Sequence, residues 1–209
     1  MSRFFTLQGL RRSAATLRIA SEKSPSRISP RESQRKRFDM VVRMINNKEL
    51  FYKELNKLIE NEKIQRLKEF PQHHGSNTLK HCIAVAKRSF ALAEEFGWDI
   101  DEKELARSAM LHDYYLYKIK EQGLSAFKHG TSHPIVAIRN AVKDFELSEK
   151  EKGAIRSHMW PLTLKNPPRS KEAALLCLAD KDIAIREFAA PEVKRAIRLA
   201  KKFRGKKEE

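Results

Sequence analysis

The sequence lacks the features that mark secreted, membrane-spanning or β-rich proteins. Its two cysteines, Cys82 and Cys177, lie inside apolar runs with helical spacing, which is typical of buried core residues in a reducing compartment and not of a disulfide framework. No apolar run approaches the roughly 18 residues needed to cross a bilayer, so we expect a soluble protein without a membrane partner. No segment alternates like a strand and no internal repeat is present, which predicts an all-α fold.

Acidic residues are scarce in the first 37 positions, which carry ten Lys or Arg against two acids. Aromatic residues are also missing after Phe5, so we expect residues 1–37 to be a disordered basic extension before a single domain at residues 38–205. Arg11-Arg12 is not followed by the apolar segment of a secretory signal. We expect a cytoplasmic protein, while a mitochondrial transit peptide and an upstream start codon stay open as alternatives.

The net charge of +16 is divided evenly between that extension and the rest of the chain, so the domain itself is moderately basic. A positive field concentrates small anions such as phosphates, although surface lysines also serve solubility alone. No recognised nucleic-acid motif is present, so a nucleic-acid partner is not expected. Binding through the basic extension is kept as a minor hypothesis, which the salt dependence of binding would test.

Helical periodicity and capping residues predict most of the secondary structure. Asp101 and Ser148 are expected to cap helices that end beside Leu111 and His158, and Gly97 is expected to end the helix before them. Asn46-Asn47 is the expected break in the first helical region, and residues 118–131 and 159–169 are expected to be loops. The predicted helices span about residues 38–67, 78–96, 101–111, 133–145, 148–158, 171–188 and, from Pro191, 191–203.

The chemistry of the chain centres on His112-Asp113, at the end of an apolar helical run over residues 105–111. Burying an ionised carboxylate is costly unless it is paired or bound to a metal, and a metal ion relieves that cost for both residues at once. Further candidates lie in or beside other apolar helical runs. Each alone is typical of a hydrogen-bonded core residue, but together they would fill the inner shell of a two-metal site: His81, His133, His158 and Asp180.

The order His…His-Asp…His…His…Asp on a helical chain resembles the HD-domain metal-dependent phosphohydrolase superfamily. His133 and His158 resemble the additional histidines of its two-metal branch, which includes HD-type dinucleoside polyphosphate hydrolases. The surrounding sequences are similar to those of small bacterial HD proteins: HDYYLY at 112–117, KHGTSHP at 128–134 and HMWPL at 158–162. The resemblance covers about residues 38–190 and implies an all-α HD-domain helical bundle.

The resemblance also implies the ligands of two divalent ions. The first ion would be bound by His81, His112, Asp113 and Asp180. His133 and His158 would bind the second ion, with Asp113 bridging the pair, and His129 lies close enough in sequence to compete with His133. Imidazole and carboxylate ligands suit Mn, Fe, Co, Ni or Zn without choosing among them, and Mg is a further candidate.

The implied function is hydrolysis of a phosphate ester or anhydride bond in a nucleotide-like substrate by a metal-activated water. His112 and Asp113 would be catalytic as ligands of the metal that activates this water, while His74, Lys128 and His129 are expected to bind substrate. Tyr115-Leu116 stands where some HD phosphodiesterases carry Gly-Lys, so cyclic-dinucleotide cleavage of that type is not expected. The alternative is a catalytically weak HD protein that binds a nucleotide and regulates a partner. The substrate and the oligomeric state stay open.

Overall fold

The computed structural model describes residues 29–72 and 76–205 and divides the chain into two units, Met1–Met40 and Val41–Glu209. The described residues are all-α and form no strand, which confirms the predicted fold class. None of the described helices is both long and apolar enough to cross a membrane. The helices are α1 Pro30–Glu60, α2 Glu62–Gln65, α3 Thr78–Phe96, α4 Glu102–Leu111, α5 Ala126–Asp144, α6 Glu149–Ser157 and α7 Lys171–Gly205, with 3₁₀ turns at Arg66–Glu69 and Ile119–Gln122.

Helix α1 begins at Pro30, so residues 30–37 are helical where we expected the disordered extension. The Ser29 hydroxyl accepts a hydrogen bond from the Glu32 amide at 3.2 Å, and proline is well tolerated in the first turn of a helix. Residues 1–28 lie outside the described residues, and for them the extension stays a prediction. The expected break at Asn46-Asn47 is absent because an exposed asparagine costs a helix only about 0.7 kcal/mol. The helix ends at Glu60 instead, and Asn61 caps α2.

The core of the second unit is built around α4, which packs against α3, α6 and α7. Its Leu105, Ala106, Ala109, Met110 and Leu111 are all fully buried, which explains why this run is almost wholly apolar. Cys82 on α3 and Cys177 on α7 are buried free thiols, which confirms their prediction as core residues.

Three helix boundaries follow the capping residues that the sequence predicted. Helix α3 ends at Gly97, which adopts a left-handed conformation with φ of 62°. The Asp101 side chain accepts the Glu104 amide at 2.8 Å, and Ser148 forms a complete capping box with Glu151. Helices α4 and α6 begin after these caps and end at the residue before a histidine, His112 and His158.

Two helices differ from their predicted extents. Helix α5 starts at Ala126, capped by Ser125, so residues 126–131 are helical where a loop was predicted. The prediction missed this first turn and a half because it shows no apolar periodicity. Helix α7 runs without interruption through Pro191, so the two helices predicted there are one. A proline removes its own hydrogen bond to the preceding turn, and in α7 this loss does not end the helix.

Candidate metal centre

The six predicted metal ligands come together at one buried point among α3 to α7. His81 comes from α3, His133 from α5 and Asp180 from α7, while the other ligands directly follow α4 and α6. All six side chains are buried: His81, His112, Asp113, His133, His158 and Asp180. Helices that are distant in the sequence thus bring imidazoles and carboxylates close enough together to bind the same metal ions.

The Asp113 carboxylate stands between two groups of imidazoles. Its Oδ2 lies 3.6 Å from His112 Nε2 and 3.9 Å from His81 Nε2. Its Oδ1 lies 3.2 Å from His133 Nε2 and 3.9 Å from His158 Nε2. Each carboxylate oxygen therefore faces a different pair of nitrogens, and we call the two groups the first and second sites.

Asp180 completes the first site from the opposite side. Its Oδ1 lies 3.1 Å from His81 Nε2 and 3.6 Å from His112 Nε2. The first site consists of His81, His112, Asp113 and Asp180, and the second of Asp113, His133 and His158. In each site, a set of three side chains that includes Asp113 has ligand atoms within 4.8 Å of one another.

Main-chain carbonyls hold three of the four imidazoles in the same way. Because a carbonyl only accepts, the ring nitrogen that faces it carries a proton, and Nε2 is the nitrogen that faces the site. For His112 and His158, the accepting carbonyl belongs to the residue three positions earlier in the sequence. For His133, it belongs to the residue four positions earlier, one turn before it in α5. The Nδ1–H groups of His112, His133 and His158 donate to the carbonyls of Ala109, His129 and Ile155 at 2.8, 3.0 and 2.7 Å.

His81 is held by a side chain instead. Its Nδ1 lies 3.0 Å from Glu187 Oε2, while its Nε2 faces Asp180. Burial lowers the pKa of His81, but the hydrogen bonds to Asp180 and Glu187 outweigh burial and raise its pKa to about 10. Without a bound cation, the His81 ring is therefore favoured to carry the proton that faces the carboxylates of Asp180 and Glu187.

The buried carboxylates are ionised. Burial raises the pKa of Asp113, but the positive charge of His112 and the close approach of the His133 ring hold it well below its ordinary value. Burial also raises the pKa of Asp180, but the close approach of the His112 and His81 rings lowers it further than burial raises it. The site therefore presents negative charge that needs a cationic partner.

The second site contains an imidazole that stays neutral. Burial lowers the pKa of His158 to about 3, and the nearby His133 and His112 act in the same direction. His133 Nε2 and His158 Nε2 lie 2.8 Å apart although the Nδ1 of each donates to a carbonyl. Two nitrogen lone pairs at this distance repel each other unless a proton or a metal ion lies between them.

The donor set fits divalent metal ions. Within the described part of the chain, His112 Nε2 and Asp113 Oδ1 are buried and lack a hydrogen-bond partner. Buried polar atoms normally have one, and an ion is one accepted reason for an exception. Imidazole nitrogen and carboxylate oxygen are the ligands that Mn, Fe, Co, Ni and Zn accept, so metal binding accounts for both orphaned atoms and for the facing lone pairs.

The expected substrate-binding residues have different placements. The His129 ring stacks on His133 with centroids 4.7 Å apart, and its Nδ1 is hydrogen-bonded to the Tyr117 hydroxyl at 3.0 Å. His133 Nε2 lies 3.2 Å from Asp113 Oδ1, which favours His133 over its neighbour as the candidate ligand. Lys128 is exposed in the first turn of α5. His74 lies outside the described residues, so its role stays a prediction.

Three residues near the site were not predicted from the sequence. Gln72 Nε2 donates to Asp113 Oδ2 at 2.7 Å, and Glu187 holds His81. Lys181, the neighbour of Asp180, donates to the His158 carbonyl at 2.8 Å. Glu187 lies seven residues after Asp180, and this spacing places both on one face of a helix, so the sequence carried a signal for it. Gln72 shows no comparable pattern.

An apolar cavity of about 460 Å³ opens beside the first site. Its walls come from the segment after His158 and from α7. It is lined by Met159, Pro161, Leu162, Asp180, Lys181 and Ala184. Asp180 therefore belongs both to the candidate metal site and to the wall of this cavity.

Comparison with protein-family models matches residues 78–185 to the model described as HD domain. This range covers just over half of the 209 residues and contains all six candidate ligands. No curated protein and no solved structure matches the chain significantly.

Proposed function

The chain belongs to the HD domain family, and on this basis we propose that it is a metal-dependent phosphohydrolase that cleaves a phosphate ester or anhydride bond of a nucleotide-like substrate. The observation that supports this most is the division of Asp113 between two groups of imidazoles. Catalytic two-metal sites hold their ions about 3.5–4 Å apart, a separation that a single bridging carboxylate can span.

The chain would hold two divalent ions, with the four residues of the first site binding one and the three residues of the second site binding the other. Such ions, when bound, lower the pKa of water towards neutrality and offset the negative charge of the phosphoryl group in the transition state. The protein's own contribution is orientation. Main-chain carbonyls fix three imidazoles, Glu187 fixes the fourth, and Gln72 donates to Asp113.

We propose that Lys128 and His129 contact the substrate from the first turn of α5, together with His74. Lys128 is exposed at a helix N-terminus, where a cationic side chain and the amide dipoles both favour anions. His129 stacks on a second-site residue, His133, and Tyr117 restrains its ring. Because the second site resembles that of dinucleoside polyphosphate hydrolases, those compounds are the first substrates to test, followed by mononucleotides.

Metal content tests the site directly. The full chain, purified without chelators, reconstituted with Mn²⁺ and desalted, should contain close to two ions per molecule by mass spectrometry. Asp113→Ala should bind none, because both sites share this carboxylate. Asp182→Ala is a matched control, since Asp182 pairs with Arg88 and Arg186 outside the two sites. Failure of the parent chain to bind metal after trials with Mn, Fe, Co and Zn would contradict the proposal.

Turnover separates the hydrolase from a regulatory HD protein. The Mn²⁺-loaded chain should convert a dinucleoside polyphosphate or a nucleotide into products that anion-exchange chromatography resolves, and Asp113→Ala should fall to the metal-free rate. Saturable nucleotide binding without product formation, in a chain that holds both ions, would favour the regulatory alternative.

A further inference from the structure

We infer that Glu187 is a positioning residue that fixes the ring of His81 for the first site alone, so that the two sites are organised by different means. The inference rests on the metal binding proposed above. Glu187 lies beyond the matched residues 78–185, so membership of the HD domain family does not assign it a role.

The geometry places the His81 ring between two carboxylates of one helix. His81 Nδ1 lies 3.0 Å from Glu187 Oε2, and Nε2 lies 3.1 Å from Asp180 Oδ1. Asp180 and Glu187 are separated by two turns of α7, or about 10 Å along its axis, and therefore share a face. The His81 imidazole from α3 lies between these two turns. Helix α7 therefore supplies both a candidate metal ligand, Asp180, and the carboxylate that orients His81, Glu187.

The carboxylate of Glu187 determines which ring nitrogen is available to an ion. A carboxylate only accepts, so its partner Nδ1 keeps a proton and Nε2 is left to coordinate. The Glu187 side chain is 18% exposed, whereas that of His81 is 3% exposed. Glu187 therefore stands at the rim of the site, where a substitution can change the support of His81 without opening the core.

The second site lacks this dependence on a side chain. His133 and His158 both donate from Nδ1 to main-chain carbonyls, which no substitution removes. His112 of the first site is held in the same manner. Among the four candidate imidazole ligands, His81 alone has its Nδ1 held by a side chain. Loss of Glu187 should therefore weaken the first site and leave the second unchanged.

The test separates the two sites before altering Glu187. In the full chain, His133→Ala with His158→Ala leaves the first site, and Asp180→Ala leaves the second. Adding Glu187→Ala should weaken Mn²⁺ binding about 10–100-fold in the first background, the usual effect of losing such an outer partner, and should not change it in the second. Glu187→Gln should restore most of the affinity, because its amide oxygen still accepts from Nδ1–H. Binding is measured by calorimetric titration.

A control variant and a second measurement make the outcomes distinct. Glu192→Ala removes an exposed acid from the same helix and should change neither affinity. In the Zn²⁺-loaded chain, ¹⁵N-resolved spectra should show a protected Nδ1–H on His81, which Glu187→Ala abolishes and Glu187→Gln retains. This second measurement needs no altered ligand, so it remains decisive if a background variant fails to fold.

The possible failures point to different errors. Equal Mn²⁺ affinity with and without Glu187 in the first background, or an unchanged His81 Nδ1–H signal in Glu187→Ala, would overturn the inference and leave the proposed hydrolase intact. Weakening in both backgrounds would overturn its selectivity for the first site. A parent chain that binds none of Mn, Fe, Co and Zn would overturn both the inference and the proposed function.

Discussion

Asp113 is a buried carboxylate, and its neighbours explain why it can stay ionised in the core. Imidazoles approach both of its oxygens, and Gln72 donates to one of them. An isolated buried carboxylate would take up a proton instead. The surroundings of Asp113 therefore favour a positive charge next to the carboxylate, which either protons on the imidazoles or metal ions can supply.

The residue beside it, Tyr114, leads to a prediction about pH. Its hydroxyl donates to Asp144 Oδ2 at 2.9 Å, and Lys63 Nζ lies 2.9 Å from Asp144 Oδ1. The hydrogen bonds from Lys63 and then Tyr114 lower the pKa of Asp144 despite its partial burial. A carboxyl whose pKa is lower in the folded than in the unfolded chain stabilises the fold above the unfolded value of about 3.9 and loses that contribution as the pH falls through its folded pKa.

We expect Asp144→Asn to lower the free energy of unfolding by about 1 kcal/mol at pH 7, the net contribution of a typical intramolecular hydrogen bond. The difference from the parent chain should shrink well below pH 3.9, where the carboxyl of the parent is itself neutral. Urea unfolding at several pH values measures both quantities, with Glu192→Gln as an exposed control. An equal loss at every pH would assign the effect to packing rather than to charge.

At the scale of elements, helix ends determine where the ligands stand. Helices α4 and α6 each end one residue before a histidine that is a candidate ligand, and each histidine donates to a carbonyl of its own last turn. The start of α6 is tied to α4 as well. Glu151 accepts from the Ser148 amide in the capping box and pairs with Arg107 of α4, a residue that also donates to the Glu146 carbonyl. The Glu151 carboxylate thus takes part both in the N-cap of α6 and in the contact between α6 and α4.

This double role predicts unequal costs for two neighbouring substitutions. Ser148→Ala should lower the free energy of unfolding by about 1 kcal/mol, the usual cost of losing an N-cap. Glu151→Ala should cost about 3 kcal/mol, because it also leaves the mostly buried Arg107 without its closest carboxylate. Glu149→Ala breaks only an exposed surface pair with Lys152 and should leave stability nearly unchanged. Chemical denaturation ranks the three variants, and similar costs for Ser148→Ala and Glu151→Ala would show that Arg107 does not need Glu151.

At the scale of the whole molecule, the candidate metal centre joins five helices. Its ligands come from α3, α5 and α7 and from the residues that follow α4 and α6. An ion bound there stabilises the folded chain by mass action, because the unfolded chain does not keep these side chains together.

Removing metal should therefore lower the melting temperature. An ion present at a hundred times its dissociation constant adds about 2.7 kcal/mol, which corresponds to a shift of roughly 5–10 °C for a chain of this length. Differential scanning fluorimetry with Mn²⁺ and with a chelator should show this shift in the parent chain. It should be absent in Asp113→Ala, and a parent chain that melts at the same temperature in both conditions would argue against structural coupling to a metal.

The predictable parts of the fold depend on local interactions. Gly97, Asp101 and Ser148 act within one helical turn, so the boundaries near them were readable from the sequence. The start of α5 and the continuity of α7 through Pro191 were missed, since neither the first turn of α5 nor the proline has a local pattern that indicates a continuing helix.

The same division holds for the site. Residue type, together with an order along the chain that resembles HD-domain proteins, was enough to select the six candidate ligands that the fold brings together, because buried imidazoles and carboxylates are unusual in apolar helices. The support of Glu187 for His81 and the contact of Gln72 with Asp113 join residues 106 and 41 positions apart. Which oxygen of Asp113 faces which imidazoles also depends on how five helices pack. Such relations come from long-range packing, which periodicity and capping, acting over about one helical turn, do not encode.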